Sequence, residues 1–345
     1  MTSPEQRAAS ARTSRAASIA RFLLPKIAQC IFVVWATYSV AFVLIHALPG
    51  DPVLAALSLR GGDATSTDPA QLQALRERYG LDGSPWQQYL NGLLALLRGD
   101  FGISIATGQP VGDMIGRAFP NTAAVAVFAL VVGFVVALAL TVWAYIARPA
   151  WLRGVITQIP PLGIAIPAFL TGLVLISVFS FGLGWFPASG SNVFASIVLP
   201  GITLALPTGA IFFQVFSAAV FDAGASPFVF TANAKGLAQR TVVVRHVLRN
   251  ALLPSITIIG LQIGYLAGGT AVVETVFSRD GIGRLTVDAV LARDINVVMG
   301  VVVVVAIVYA VVTLVVDSLY GVIDPRTRTR LTGPRRPRTA AEVAG

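Results

Sequence analysis

Six segments of this chain run almost without charge: 24–48, 119–146, 154–181, 196–220, 251–275 and 297–320. A helix rises about 1.5 Å per residue, so about 20 apolar residues cross a hydrocarbon core about 30 Å thick. The sixth segment contains VVMGVVVVVAIVYAVVTLVV. Valine favours strands in water, but this run far exceeds the length of an ordinary strand, so a spanning helix is predicted. The expected fold class is therefore an all-α integral membrane protein with six transmembrane helices.

The intervening segments predict a 22–326 membrane domain, with a long loop at 49–118 and a basic loop at 221–250. In the first loop, Asp68-Pro69 with Gln71 reads as a helix start, and Leu72, Leu75 and Tyr79 share a face before Gly80 stops the helix. Ser84-Pro85-Trp86-Gln87 repeats that signature. It leads into an apolar stripe of Trp86, Tyr89, Leu90, Leu93, Leu94 and Leu97, expected to lie against the membrane surface or the helix bundle. The loop is thus a partly helical domain, either a packed cap or a docking surface. The tails, 1–21 and 327–345, are rich in Arg, Ala, Ser, Thr and Pro without apolar periodicity, and disorder is expected there. The first apolar run is too long for a secretory signal, and no clear cleavage site follows it.

Composition agrees with lipid as the main solvent: 12% of residues are charged, about half of what a soluble surface carries, and mean hydropathy is +0.77. The net charge of +9 is a matter of topology. Seventeen of the 25 basic residues fall in the N-terminal tail with Lys26, the 147–153 loop, the 221–250 loop and the C-terminal tail. The opposite set, 49–118 and 276–296, holds the other eight together with most carboxylates. The positive-inside rule then places both termini in the cytoplasm and 49–118 outside. No aromatic-basic module accompanies the charge, so nucleic acid is not an expected partner.

Covalent chemistry finds no support. There is no phosphate-binding G-x-x-x-x-G-K-[ST], no H-E-x-x-H and no G-x-S-x-G. One cysteine, Cys30, excludes an internal disulfide framework, and two histidines, His46 and His246, do not make a metal site. Glu274, Asp317 and His46 lie near the ends of spans, where snorkelled or capping roles are expected. Their scarcity argues against a secondary transporter driven by an ion gradient, which stays open as a rival beside a membrane scaffold that moves nothing.

Three patterns remain. The fifth segment carries Gly260, Gly264 and Gly268 at intervals of four, a stripe that lets helices approach closely in lipid. Prolines 160, 161 and 167 in the third segment predict a kinked or loosened helix. In the basic loop, a short helix should run to Lys235, break at Gly236, and resume to about Asn250.

That loop carries TANAKGL, residues 231–237, followed by RHVLRNALLP, residues 245–254. It resembles the coupling loop of binding-protein-dependent ABC importer permeases, nearest to the dipeptide, oligopeptide and nickel subgroup and its first, B-type subunit. Other stretches agree in order: Pro49-Gly50-Asp51-Pro52, Tyr79-Gly80-Leu81-Asp82, Gly99-Asp100-Phe101-Gly102, Val273-Glu274-Thr275-Val276-Phe277, Gly281-Ile282-Gly283, Arg293-Asp294 and Asp324-Pro325-Arg326. The resemblance spans about residues 22–328.

It implies a transmembrane permease of the bacterial inner membrane that binds no cofactor of its own. It also implies a second homologous permease, two ATPase subunits (or one fused) carrying ATP and magnesium, and an extracytoplasmic solute-binding protein. The implied cargo is di- or oligopeptides, with nickel chelates or glutathione as alternatives, moved by alternating access. The implied ATPase-docking positions are Ala232, Asn233, Ala234, Lys235, Gly236 and Leu237. Asn233 departs from the family's usual arginine, and Ala225-Ser226-Pro227-Phe228 replaces the usual acidic and tyrosine residues upstream, which puts particular salt bridges to the ATPase in doubt.

Overall fold

The computed structural model describes the backbone of residues 4–47, 53–54, 68–191, 193–251 and 253–323, and side chains within 24–318 apart from gaps around those breaks and at 252–257. Pro49 to Pro52 and Asp324-Pro325-Arg326, both singled out in the sequence, lie outside the described residues, as does the C-terminal tail. Among the described residues the secondary structure is helical throughout, with one isolated bridge between Ile103 and Pro110.

Five helices are long and apolar enough to cross a bilayer: Leu24–His46, Val111–Ile146, Ala195–Gly224, Ile258–Val276 and Ile295–Ser318. These are spans 1, 2, 4, 5 and 6. Span 3 is a broken pair, Ala150–Ala165 and Ala168–Gly182, bent by 101°. A kinked or loosened helix was expected there from its three prolines, and the break falls at the last of them: Ile166, just before Pro167, is forced into an extended conformation (ψ 122°) and Pro167 starts the next helix. That helix then widens into a π-helix over Ile176–Gly182.

Two boundaries differ from expectation. Span 2 begins at Val111, passing through Pro120 rather than starting beside it. The first helix begins at Pro4 and runs unbroken to His46, so the tail expected to be disordered is helical in its described part. Alanine and arginine are strong helix formers, and they propagate a helix nucleated by the adjoining span without any apolar periodicity to announce it.

Span 4 lies at the centre and is the most buried of the spans, whereas span 1 is the least. Spans 2 and 4 share the most extensive packing, while span 1 leans chiefly on span 6. The first pair crosses through glycine. A Cβ on Gly133 would lie 3.1 Å from the backbone nitrogen of Gly209, and one on Gly209 would lie 3.2 Å from the carbonyl of Gly133. Phe134, Phe212 and Phe216 pack edge-on beside the crossing. Span 6 and span 1 are further joined by a Lys26–Asp317 ion pair.

At one end of the bundle, two short helices form a cap. Asp68 accepts a hydrogen bond from Ala70 N (3.0 Å) at the start of Pro69–Arg78. Ser84 and Gln87 form a reciprocal capping box at the start of Pro85–Leu97. Tyr79 closes the first helix and Gly80 turns the chain at φ +71°. The cap is fastened to span 6 by Asp294, which is buried and accepts from Ser104 Oγ (2.5 Å) and Ala106 N (3.0 Å). The neighbouring Asn296 donates to the carbonyls of Ile103 (2.8 Å) and Tyr79 (3.3 Å).

Candidate functional site

The basic loop sits at the other end. Pro227–Ala234 is a helix of eight residues, ended as the sequence predicts. Gly236 N donates to Asn233 O (2.9 Å) and Leu237 N to Ala232 O (3.3 Å). This pair of bonds requires a left-handed residue between them, and Gly236 supplies it at φ +73°. A Cβ there would meet nothing within 4 Å, so within this chain the glycine serves the backbone turn and not close packing. The chain re-enters a helical stretch at Gln239, which includes a π-helix over Val242–Leu248.

Helix 227–234 has two faces. Val229 and Ala232 are buried and join Val220, Val242, Val247 and Ala251 in one apolar cluster. Phe230, Asn233, Ala234, Lys235 and Leu237 are exposed, Phe230 most of all at 78%. Ala232 is therefore small because the chain's own body lies against it. Of the docking positions named from the sequence, Asn233 to Leu237 remain open.

The cluster is rooted in the bundle. Tyr145, at the end of span 2, packs against it, and a Cβ on Gly224 would fall 2.6 Å from that tyrosine ring. Tyr145 and Phe221 bring their rings within 5.9 Å. The loop helix thus rests on the ends of spans 2 and 4, the two helices joined at the Gly133–Gly209 crossing.

At the cap end of those helices lies a buried polar network that spacing alone does not reveal. Glu274, expected to snorkel or cap, is instead completely enclosed. Its carboxylate accepts from Thr122 Oγ1 (2.6 Å) in span 2 and from Arg284 N (3.1 Å). Thr122 Oγ1 in turn accepts from Ile282 N (2.7 Å). Gly281 and Gly283 explain their own presence: a Cβ on the first would strike the Glu274 carboxylate, and one on the second would sit 2.4 Å from Ala271 Cα. Arg279, 1% exposed, donates to Gly190 O (2.8 Å), Ser196 O (2.7 Å) and Ser196 Oγ (3.0 Å), tying the turn to the start of span 4. Burial pulls its guanidinium below the usual arginine range, and the Glu274 and Asp280 carboxylates oppose that shift. Together these bonds clamp spans 2, 4 and 5 at one end, opposite the loop.

The glycine stripe of span 5 divides. Gly264 meets Tyr309 of span 6 (3.0 Å from a built Cβ) and Gly260 meets Val316 (3.6 Å), but Gly268 faces open space. His46 bonds to the carbonyl of Phe42 (2.9 Å) and to Gln88 of the cap (3.1 Å). Among the described residues no His/Cys/Asp/Glu group has the arrangement to hold a metal ion.

A bundle of five apolar spans and one bent helix pair, capped at one end and carrying an exposed helix on two packed spans at the other, defines a polytopic membrane protein. A family model described as a binding-protein-dependent transport system inner membrane component matches residues 129–329. The chain is 35% identical over 287 residues to the glutathione transport system permease protein GsiC of Escherichia coli strain K12, covering 83% of this chain and 92% of that protein. The GsiC protein of Shigella dysenteriae serotype 1 matches to the same extent. Two crystal forms of the MetNI methionine ABC transporter in inward-facing conformations share the fold. One gives a TM-score of 0.54 at 17% identity, over 61% of this chain and 96% of that one. The other gives a TM-score of 0.52 at 20% identity with the same coverage. The chain belongs to the binding-protein-dependent transport system inner membrane component family and is a permease of an ABC importer, a multi-pass protein of the inner membrane.

Proposed function

We propose that this permease pairs with a second, homologous permease and takes up small peptide-like solutes by alternating access. Separate ATPase subunits, binding ATP and magnesium, receive residues 233–237 in a surface cleft on the cytoplasmic side, where both termini also lie. A solute-binding protein delivers cargo at the cap end. The observation that carries this reading is the two-faced helix 227–234, held from behind by spans 2 and 4 and presented outward by the Gly236 turn. Each ligand then shifts the balance of bundle arrangements by its differential affinity for them. The relative that transports glutathione, itself a tripeptide, supports the peptide-like cargo. Glu274 does not favour ion coupling, since its carboxylate is held by bonds within the chain.

The test is reconstitution of the permease pair with its ATPase and solute-binding partners in nanodiscs. Cargo-stimulated ATP hydrolysis that Gly236→Trp abolishes is the expected result. Uptake that persists after ATP depletion, or a chain that assembles with no ATPase, overturns the reading. Cysteine labelling at Lys235 in a Cys30→Ser background checks the side of the loop.

A further inference from the structure

Helix 85–97 of the cap contains no charged residue, and its apolar side chains cover a broad arc. One edge of that arc is packed: Tyr89, Leu93 and Leu96 lie against the cluster around Tyr38 and Tyr79. The other edge is open. Trp86 is 66% exposed, Leu90 39%, Leu94 52% and Leu97 78%, at spacings of four, four and three that hold one helix face.

The place of this helix along span 1 decides what covers the open edge. Tyr89 packs its ring 5.4 Å from those of Tyr38, tilted, and Phe42, edge-on; its hydroxyl pairs with Ser39 Oγ (2.8 Å), and its carbonyl accepts from Tyr38 OH (3.2 Å). Span 1 ends at His46, so at about 1.5 Å per residue these contacts lie roughly 6 to 12 Å inside its end. At the same level Val40, Val43 and Leu44 of span 1 are exposed at 59, 64 and 63%. That surface belongs to a membrane-crossing helix and is left uncovered by this chain, as a lipid-facing surface is. A soluble partner reaches a patch at this depth only by displacing lipid.

We propose that helix 85–97 is an interfacial anchor whose Trp86–Leu90–Leu94–Leu97 edge is seated in the boundary between headgroups and acyl chains, continuing the lipid-facing surface of span 1. Trp86 at one end and the exposed Arg98 at the other suit that depth, since indole and guanidinium groups settle among headgroups. Gln87 and Asn91, on the adjacent exposed face, turn toward water. The cap is then held at a set height in the bilayer, and its remaining polar surface is what a solute-binding protein can reach.

Cys30 is the single cysteine, so in a Cys30→Ser background a spin label can be placed at Leu94, Leu97 or Asn91 of the assembled transporter. The sample is set in nanodiscs of phosphatidylcholine and phosphatidylglycerol. Labels at 94 and 97 should be several-fold more accessible to oxygen, relative to a water-soluble nickel chelate, than the label at 91. Brominated lipid should quench a fluorescence component that Trp86→Phe removes. Equal nickel access at 94, 97 and 91, or no Trp86-dependent quenching, overturns the anchor. Immobilisation of the 94 and 97 labels by the solute-binding protein, with loss of their oxygen signal, assigns the edge to that protein and also overturns it. ATP-driven uptake is read on the same nanodiscs, so failure of the anchor and failure of the transport reading are separate outcomes.

Discussion

Glu274 and Arg279 lie five residues apart, both sealed from solvent and joined by a backbone bond from Arg279 N to Glu274 O (2.8 Å), yet their side chains do not bond each other. The carboxylate reaches to Thr122 in span 2 and the guanidinium to Ser196 at the start of span 4. Two of the guanidinium nitrogens, Nε and Nη2, find no acceptor. Opposite charges buried this near one another stabilise by what each holds in place, and here each holds a different span.

Glu274→Ala should therefore loosen that end of the bundle. Thr122 Oγ1 and Arg284 N lose their acceptor, at about 1–3 kcal/mol for each group left buried and unpaired. A clear fall in the thermal unfolding midpoint of the purified complex is expected, with Glu274→Gln falling less because an amide oxygen still accepts. An unchanged midpoint for Glu274→Ala would show that the network does not clamp the spans.

Glycines that look alike in the sequence should behave differently. Gly283→Ala places a methyl group 2.4 Å from backbone of the facing helix, and such overpacking costs about 1–3 kcal/mol or more. Gly268→Ala meets open space and should be neutral or stabilising by up to about 1 kcal/mol through helix propensity. Yield and unfolding midpoint in detergent measure both. A harmful Gly268→Ala would mean that a second chain closes on this position.

Gly236 should respond to backbone preference rather than side-chain size. An ordinary L-residue at φ +73° is strained by about 1–2 kcal/mol. Gly236→Ala should weaken cargo-stimulated ATP hydrolysis, and Gly236→Asn, which enters this region more easily, should restore part of it. Equal loss in both would point to space at a partner surface as the requirement.

Ala232 and Ala234, two residues apart, should separate folding from docking. Ala232→Leu drives a large side chain into the cluster of Val220, Val229 and Val247 and should lower stability before any partner is added. Ala234 is exposed, so Ala234→Leu should leave the midpoint unchanged while reducing co-purification of the ATPase. Protease sensitivity of the 225–251 loop gives a second reading of the first variant.

Much of this molecule was legible along the chain because lipid imposes a simple rule. A backbone with no water to bond must satisfy itself in a helix about 20 residues long, and five of six spans follow that rule at nearly their expected places. The Gly236 turn and the Ser84–Gln87 box were legible for a similar reason: both are closed by residues within a few positions of each other. The break in span 3 was announced by Pro160, Pro161 and Pro167, though not its angle.

The hydrophobic pattern and the local caps thus determined by themselves that this is a helical membrane protein, where its crossings lie and where its exposed loop bends. Only the tertiary structure decided that Ala232 faces inward, that Gly133 and not Gly268 makes the close crossing, and that Glu274 is enclosed rather than snorkelled. Each of those depends on which helix stands opposite. Lipid rewards apolar surface equally on every side of a span, so the sequence of one helix carries no mark of its neighbours until shape and hydrogen bonds select them.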